Sequence, residues 1–347
     1  MHTHRCRLGA LLIALLLCAC EQREIPVHEF QFFAFGTLIE LTIAGAESRS
    51  AQRAYRRIQK DFKTLDEDLY PWREGVLART NRLLARGKPF TVDPLLVPMI
   101  DEATRLSRLS GGLFNPAIGA LVELWGFTGG EPPRTPPPRN DIMRLVAGQP
   151  SMQALVFAGP TLKSTNKTLR LDFGAYAKGY AVDRGVEALR ALGIKNAILN
   201  AGGDLRAYGR RGIRPWHIGI RHPRAPGVFA SVEIETDESI LTSGDYERFF
   251  IYNKKRYHHV IDPRTGYPIR TAVCATVIHP SAAIGDATAT ALLVAGRDHW
   301  GALAKAMGIE QAMLVDAAGN IHVTPKLRER IRFHVDPGRS IVTNADP

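Results

Sequence analysis

The run Leu171-Asp172-Phe173-Gly174-Ala175-Tyr176-Ala177-Lys178-Gly179-Tyr180-Ala181-Val182-Asp183 constrains this chain most. Thr168 to Phe173 alternates polar and apolar residues, the pattern of a short strand. Gly174 supplies a turn, and from Tyr176 onward Val182, Val186 and Leu189 recur at helical spacing. A strand is therefore expected to turn sharply into a helix, with Asp172 at the strand end and Lys178 in the first helical turn. That arrangement aims backbone N–H groups and the positive helix end at one spot, which suits a phosphate or another anion. Lys178 adds a mobile charge for the same anion. The same residues also describe an ordinary strand-to-helix connection with a solvated Lys178, the commoner case in α/β domains.

At 347 residues, 45% hydrophobic and 23% charged, the chain is globular in composition and long enough for one large or two smaller domains. Its first residues stand apart. His2, His4, Arg5 and Arg7 make a basic start, and Leu8 to Leu17 is an apolar run too short for a transmembrane helix. The run ends in Leu17-Cys18-Ala19-Cys20, similar to a bacterial lipoprotein box. Residues 1–19 are expected to be a lipoprotein signal peptide and Cys20 the lipidated first residue, anchored to the cell envelope and facing the periplasm; a plain secretory signal or an N-terminal membrane anchor is the alternative. Losing Arg5 and Arg7 lowers the formal net charge from +11 to +9. A basic protein outside the cytoplasm suits anionic headgroups, an acidic partner or a phosphorylated ligand, and nucleic acid is not expected. Of four cysteines, only Cys274 stays free in the mature chain, so no internal disulfide is expected. Cys274 lies in the apolar run Ala272 to Ile278, read as a buried strand.

Residues 20–29 read as a tether. Phe30 to Ile43, interrupted at Gly36, reads as a strand or hairpin. Ala51 to Leu65 and Val97 to Leu109 read as helices, the second ended by Ser110-Gly111-Gly112. Residues 129–140 carry five prolines and read as an exposed loop inserted in the domain. Ala154 to Phe157, Leu169 to Phe173, Ala197 to Leu199, Trp216 to Ile220 and Ala230 to Ile234 read as strands. Asp286 to Ala295 reads as a helix opened by Gly285-Asp286. Strands and helices mix without strict alternation, so an α+β (mixed α/β) fold is expected.

Neither a Gly-x-x-x-x-Gly-Lys-Ser/Thr loop nor a Gly-x-Gly-x-x-Gly turn is present, and a Cys/His metal site lacks its thiols. Any metal should be hard and oxygen-bound. Asp286 and Thr290, four apart on one helix, face the same way and suit Mg²⁺, although a helix cap and a packing residue would show the same spacing. His258 and His259 precede a proline-containing turn, where a His is either a general base or a strand-end residue. Asn200-Ala201-Gly202-Gly203-Asp204 allows close backbone approach to a ligand, or simply makes a tight turn.

These signals occur in a definite order. Leu171 to Asp183, then Asn200 to Asp204, then Thr242-Ser243-Gly244-Asp245-Tyr246, then His259-Val260-Ile261-Asp262-Pro263-Arg264-Thr265-Gly266, then Asp286 through Thr290: the series resembles the ApbE family, the FAD:protein FMN transferases. Phe35-Gly36-Thr37 and Trp125-Gly126-Phe127 agree with it. The resemblance runs from about residue 30 to 325, and implies a single compact ApbE-like domain of mixed sheets with flanking helices over 30–335, followed by a C-terminal tail at 336–347.

It also implies a reaction. Family members bind FAD with Mg²⁺, split its pyrophosphate and transfer FMN to a Thr or Ser hydroxyl of an acceptor flavoprotein through a phosphoester bond, releasing AMP. Typical acceptors are subunits of membrane redox complexes. The resemblance makes Asp172 and Lys178 contacts to FAD, and Phe35, Trp72, Phe114 and Asn115 further flavin-site positions. It makes Asp286 and Thr290 side-chain ligands of the metal, with the carbonyl of Ala175 a third donor. His259 is its candidate base for the acceptor hydroxyl, and Asp245 shares that work or binds flavin. Asn115 replaces an Asp common in the family, and the aromatic near Trp72 is often Tyr. The alternative is a lipoprotein that binds FAD and hydrolyses it to FMN and AMP; a purely structural envelope lipoprotein would leave the five motifs unexplained.

Overall fold

The computed structural model describes residues 25–128, 131, 133–334 and 341–343. The expected signal peptide and the expected lipidation site Cys20 lie outside them. The hairpin expected from Phe30 onward is β1 (Val27–Ala34) with β2 (Thr37–Ala44), so the end of the expected tether already belongs to a strand. Its turn is Phe35-Gly36, both at positive φ, 53° and 69°. Next come α1 (Ser48–Leu69), α2 (Val76–Ala85), the short β3 (Phe90–Thr91) and α3 (Leu96–Leu109). They are followed by α4 (Gly119–Leu124), α5 (Arg139–Ala147), β4 (Leu155–Ala158) and β5 (Thr161–Ser164). Helix α6 (Ala177–Ala191) leads into β6 (Ala197–Ala201), β7 (Asp204–Tyr208), β8 (Trp216–Arg221), β9 (Val228–Ile234) and β10 (Asp237–Gly244). The hairpin β11 (Phe249–Tyr252) and β12 (Lys255–His258) precedes β13 (Ala272–His279) and α7 (Ala282–Ala295). The chain closes with α8 (Trp300–Ala306), β14 (Gln311–Asp316), β15 (Ile321–Val323), α9 (Pro325–Arg328), β16 (Arg332–Phe333) and β17 (Ile341–Thr343).

Nine strands form one sheet in the order β1-β2-β6-β7-β10-β13-β14-β15-β17. Every pair is antiparallel except β15 with β17. Helices α1, α6 and α7 pack on one face, where Ile58, Phe62, Val182, Val186 and Leu292 meet Leu41, Leu199, Leu241 and Leu314. The small sheet β16-β9-β8 covers the other face through Trp216, Ile218 and Val232 against Leu205, Ile240 and Met313. Neighbouring residues Ile240 and Leu241 thus enter opposite cores, as the pleat of a strand requires. Strand β13 is covered on both faces and is apolar nearly throughout, which buries Cys274 and pushes its thiol up to about 12. The fold is a single compact domain of mixed α/β class.

Four expectations are corrected. Leu169 to Phe173 is not a sheet strand: Arg170 and Asp172 donate backbone bonds to Ala117 and Pro116, and the buried Asn81 amide bonds both the N–H and the C=O of Leu171. The alternation there is real, but the segment is held by a helix side chain and by residues 116–119 instead of a sheet. The partner of β4 is instead Thr161–Ser164. Helix α7 starts at Ala282, not Gly285, because Ser281 caps it by accepting the Ile284 N–H at 3.3 Å. At the far end, β17 lies inside the expected tail and closes the sheet edge. Helix α5 already begins at Arg139, within the expected loop. No described helix is long and apolar enough to cross a membrane.

Candidate active site

A cavity of about 460 Å³ opens where the β1–β2 turn, the start of α6, the end of β10, the base of the β11–β12 hairpin and α7 converge. Of the residues expected at the site, Phe35, Phe114, Asn115, Asp172, Ala175, Lys178, His259, Asp286 and Thr290 all line it. Segments as far apart in sequence as Phe35 and Thr290 meet there because α6 and α7 cross closely over the sheet.

That crossing has identifiable causes. A Cβ on Gly179 would collide with the carbonyl oxygen of Ala282, so only glycine allows the approach. The Gly179 N–H donates to Asp286 Oδ2 at 3.1 Å. Asp183, one turn further along α6, caps α7 from outside: its carboxylate accepts from the N–H of Ala282 at 2.9 Å, the N–H of Ala283 at 3.0 Å and the Ser281 hydroxyl at 2.7 Å. Arg206 bonds the same carboxylate at 2.6 Å. A carboxylate at a helix N-terminus meets both the free N–H groups and the helix dipole.

Inside the cavity Lys178 forms an ion pair with Asp204 and stands 3.8 Å from Asp286 Oδ2. Burial pulls the Lys178 ammonium down, but Asp204 and Asp286 outweigh it and hold the group above its ordinary value. Burial raises the Asp286 carboxyl, and Asp204 adds to this, against the pull of Lys178. Burial also raises Asp172, whose Oδ1 accepts the Gly174 N–H at 2.7 Å. Thr290 Oγ1 lies 2.9 Å from Ser243 Oγ. His259 has a buried Nδ1 with no hydrogen-bond partner. Burial first, then the charges of Arg248, His258 and Lys178, keep the imidazole well below its ordinary value, so it is neutral near pH 7. His258, on the other side of the strand, bonds the Ile269 carbonyl at 2.8 Å and does not line the cavity.

Four carboxylates (Asp172, Asp204, Glu247 and Asp286) face two cations (Lys178 and Arg248) in this cavity. A pyrophosphate would enter such an acidic site only with added positive charge. Asp286 carboxylate, Thr290 and Ser243 hydroxyls and the backbone at Ala175 are all oxygen donors, the kind Mg²⁺ takes. Among the described residues no cluster of three His, Cys, Asp or Glu side chains could hold a metal, so hydroxyl and carbonyl donors are needed. The residues fit a hard divalent cation.

Two expected residues lie elsewhere. Trp72 sits in a separate groove with the Arg170 guanidinium 4.2 Å above its ring. Its neighbour Tyr70 instead bonds the Thr128 carbonyl. Asp245 follows the cavity residue Gly244, but its carboxylate turns away and receives two 2.6 Å bonds from Arg224. Both its oxygens are thus taken up by the Arg224 fork, away from the cavity. Asn115 lines the cavity, yet its side chain also bonds the Pro150 carbonyl and the Ala117 N–H. The expected set omitted Asp183, Asp204, Ser243, Glu247 and Arg248. Asp183, Asp204 and Ser243 lie within the motifs quoted above, whereas nothing in the spacing marks Arg248.

The sequence profile of the ApbE family matches residues 35–321. A FAD:protein FMN transferase of Rhodobacter capsulatus is 39% identical over 94% of this chain, which spans 63% of that relative's length. One from Vibrio cholerae is 32% identical over 89% of this chain and 93% of its own, and one from Treponema pallidum is 32% identical over 94% and 95%. Among solved structures, an ApbE protein of Thermotoga maritima superposes with a TM-score of 0.81 at 28% identity, covering 90% of this chain and all of its own. The flavin transferase ApbE of Vibrio cholerae gives 0.77 at 26% identity, covering 88% and 99%. Profile, relatives and architecture agree: the chain belongs to the ApbE family.

Proposed function

We propose that this protein transfers the FMN half of FAD to a Thr or Ser hydroxyl of an acceptor flavoprotein, by a phosphoester bond, with AMP as the leaving group. The observation that carries the reading is the meeting of His259 with Asp286, Thr290 and Lys178 in one cavity of a size that suits a small-molecule ligand. The names of the relatives from Rhodobacter capsulatus, Vibrio cholerae and Treponema pallidum point the same way.

In this reading the acceptor hydroxyl oxygen attacks the phosphorus of the FMN half. The bond from that phosphorus to the bridging oxygen breaks, and AMP departs with that oxygen. His259, kept neutral by burial and by nearby cations, takes the hydroxyl proton. Asp172 and Lys178 contact FAD, and Phe35 offers an aromatic face to the flavin, while Phe114 is buried in the cavity wall against Tyr176. Asp286, Thr290 and the Ala175 carbonyl would hold Mg²⁺, which when bound would supply positive charge to the pyrophosphate. Gly179 and Asp183 hold the two helices so that these donors face one another.

The test is AMP release. It should require FAD, Mg²⁺ and acceptor together and stop on chelation; equal AMP release without acceptor would favour hydrolysis of FAD to FMN and AMP. The Leu17 to Cys20 run supports a lipid anchor at Cys20 that holds the domain at the periplasmic face, beside acceptor subunits of membrane redox complexes. Incorporation of labelled palmitate that persists in Cys20→Ala would contradict that anchor.

A further inference from the structure

The cavity's two cations are not equivalent. Lys178 is committed: Asp204 pairs with it and Asp286 stands 3.8 Å away. Arg248 has no ion pair among the described residues, and its guanidinium makes one side-chain bond, from Nη1 to the Phe127 carbonyl at 3.2 Å. Asp172 and Glu247 attract it through space, but neither forms an ion pair with it. Glu247 pairs with Arg221, and Asp172 accepts from Gly174. Arg248 is open to the cavity, yet enough protein surrounds its guanidinium that desolvation pulls it below its ordinary value. A guanidinium in that position keeps a fork of free N–H donors shaped for phosphoryl oxygens.

Its place in the fold also ties it to the expected base. The N–H of His259 donates to the backbone carbonyl of Arg248 at 3.1 Å, and Phe127 touches both, its carbonyl bonding Arg248 and its ring lying edge-on to His259 with centroids 6.5 Å apart. The base of the β11–β12 hairpin therefore presents a cation without an ion pair and a neutral imidazole side by side, in the cavity that Asp286 and Thr290 also line.

Resting on the transferase reading, we propose that Arg248 forms an anion subsite for the phosphoryl oxygens of the bound dinucleotide, placing the reacting phosphorus beside His259. Lys178 then keeps its charge for Asp204 and Asp286, and Arg248 answers the negative charge of the substrate.

The test compares FAD with riboflavin, which shares the ring but has no phosphate, by flavin fluorescence quenching with Mg²⁺ present. Wild type, Arg248→Gln and Arg248→Lys are measured. Arg248→Gln should bind FAD about 10- to 100-fold more weakly, the worth of a charge-assisted hydrogen bond, and bind riboflavin unchanged. Arg248→Lys should recover part of the FAD affinity. Unchanged FAD affinity in Arg248→Gln would overturn the proposal, as would equal weakening of both flavins, which marks a merely structural role for the Phe127 contact. Wild-type protein that binds both flavins but labels no acceptor would contradict the transferase reading alone, because the FAD-to-riboflavin contrast still reads Arg248.

Discussion

His259 and Asp286 carry different parts of the proposed chemistry, and substitution should separate them. His259→Ala removes a proton acceptor but no metal donor. FAD binding should survive while turnover falls by about 10²- to 10⁴-fold, the usual share of a general base; unchanged turnover would rule out that role. Asp286→Ala removes a carboxylate donor and should abolish Mg²⁺-dependent turnover, so full turnover would contradict the metal assignment. Motif order marked both residues, along with Lys178 and Thr290. Asp245 also stood in a motif and Trp72 was loosely matched in a loop outside the motifs, but sequence position does not reveal which way a side chain turns. Arg224 and Arg170, outside the motifs, decide those directions.

At the scale of elements, the crossing of α6 and α7 builds the site. Gly179→Ala would press a methyl group onto the Ala282 carbonyl. The expected cost is about 1–3 kcal/mol, seen as a lower melting temperature, with loss of FAD affinity as the donors separate. Asp183→Ala removes the outside cap of α7 and leaves Arg206 with only Asp237. A cost of at least about 1 kcal/mol is expected, and wild-type stability in that variant would contradict the capping role. Helices and hairpins with a clear period, such as α1, α3 and β1–β2, were legible in the sequence. The start of α7 was not, because Ala282 to Gly285 carries no amphipathic pattern: the helix is buried nearly all round. Leu169 to Phe173 looked like a strand because an extended segment and a strand share one alternation, and only the distant Asn81 tells them apart.

Over the whole molecule, two neighbouring histidines make stability depend on pH. Burial lowers His258 and His259 below their ordinary value, so between that depressed range and about pH 6.5 the unfolded chain takes up protons that the folded chain refuses. The stabilisation is complete above about pH 6.5 and is lost as pH falls toward the folded values. The melting temperature should drop on acidification below that point, and the drop should shrink in His258→Gln. The fold class was legible because strands and helices mix without alternation; the sheet order was not, because pairing β1 with β6 through β2, or β10 with β13, spans long stretches of chain.

The central claim, that one cavity moves FMN from FAD onto a protein hydroxyl, is tested most directly by covalent labelling. The soluble domain would be incubated with FAD, Mg²⁺ and a candidate acceptor subunit, then run on a denaturing gel and scanned for flavin fluorescence. The expected result is fluorescence on the acceptor that disappears when its target Thr is changed to Ala or when the enzyme carries Asp286→Ala. Release of FMN and AMP with no labelled acceptor would contradict it.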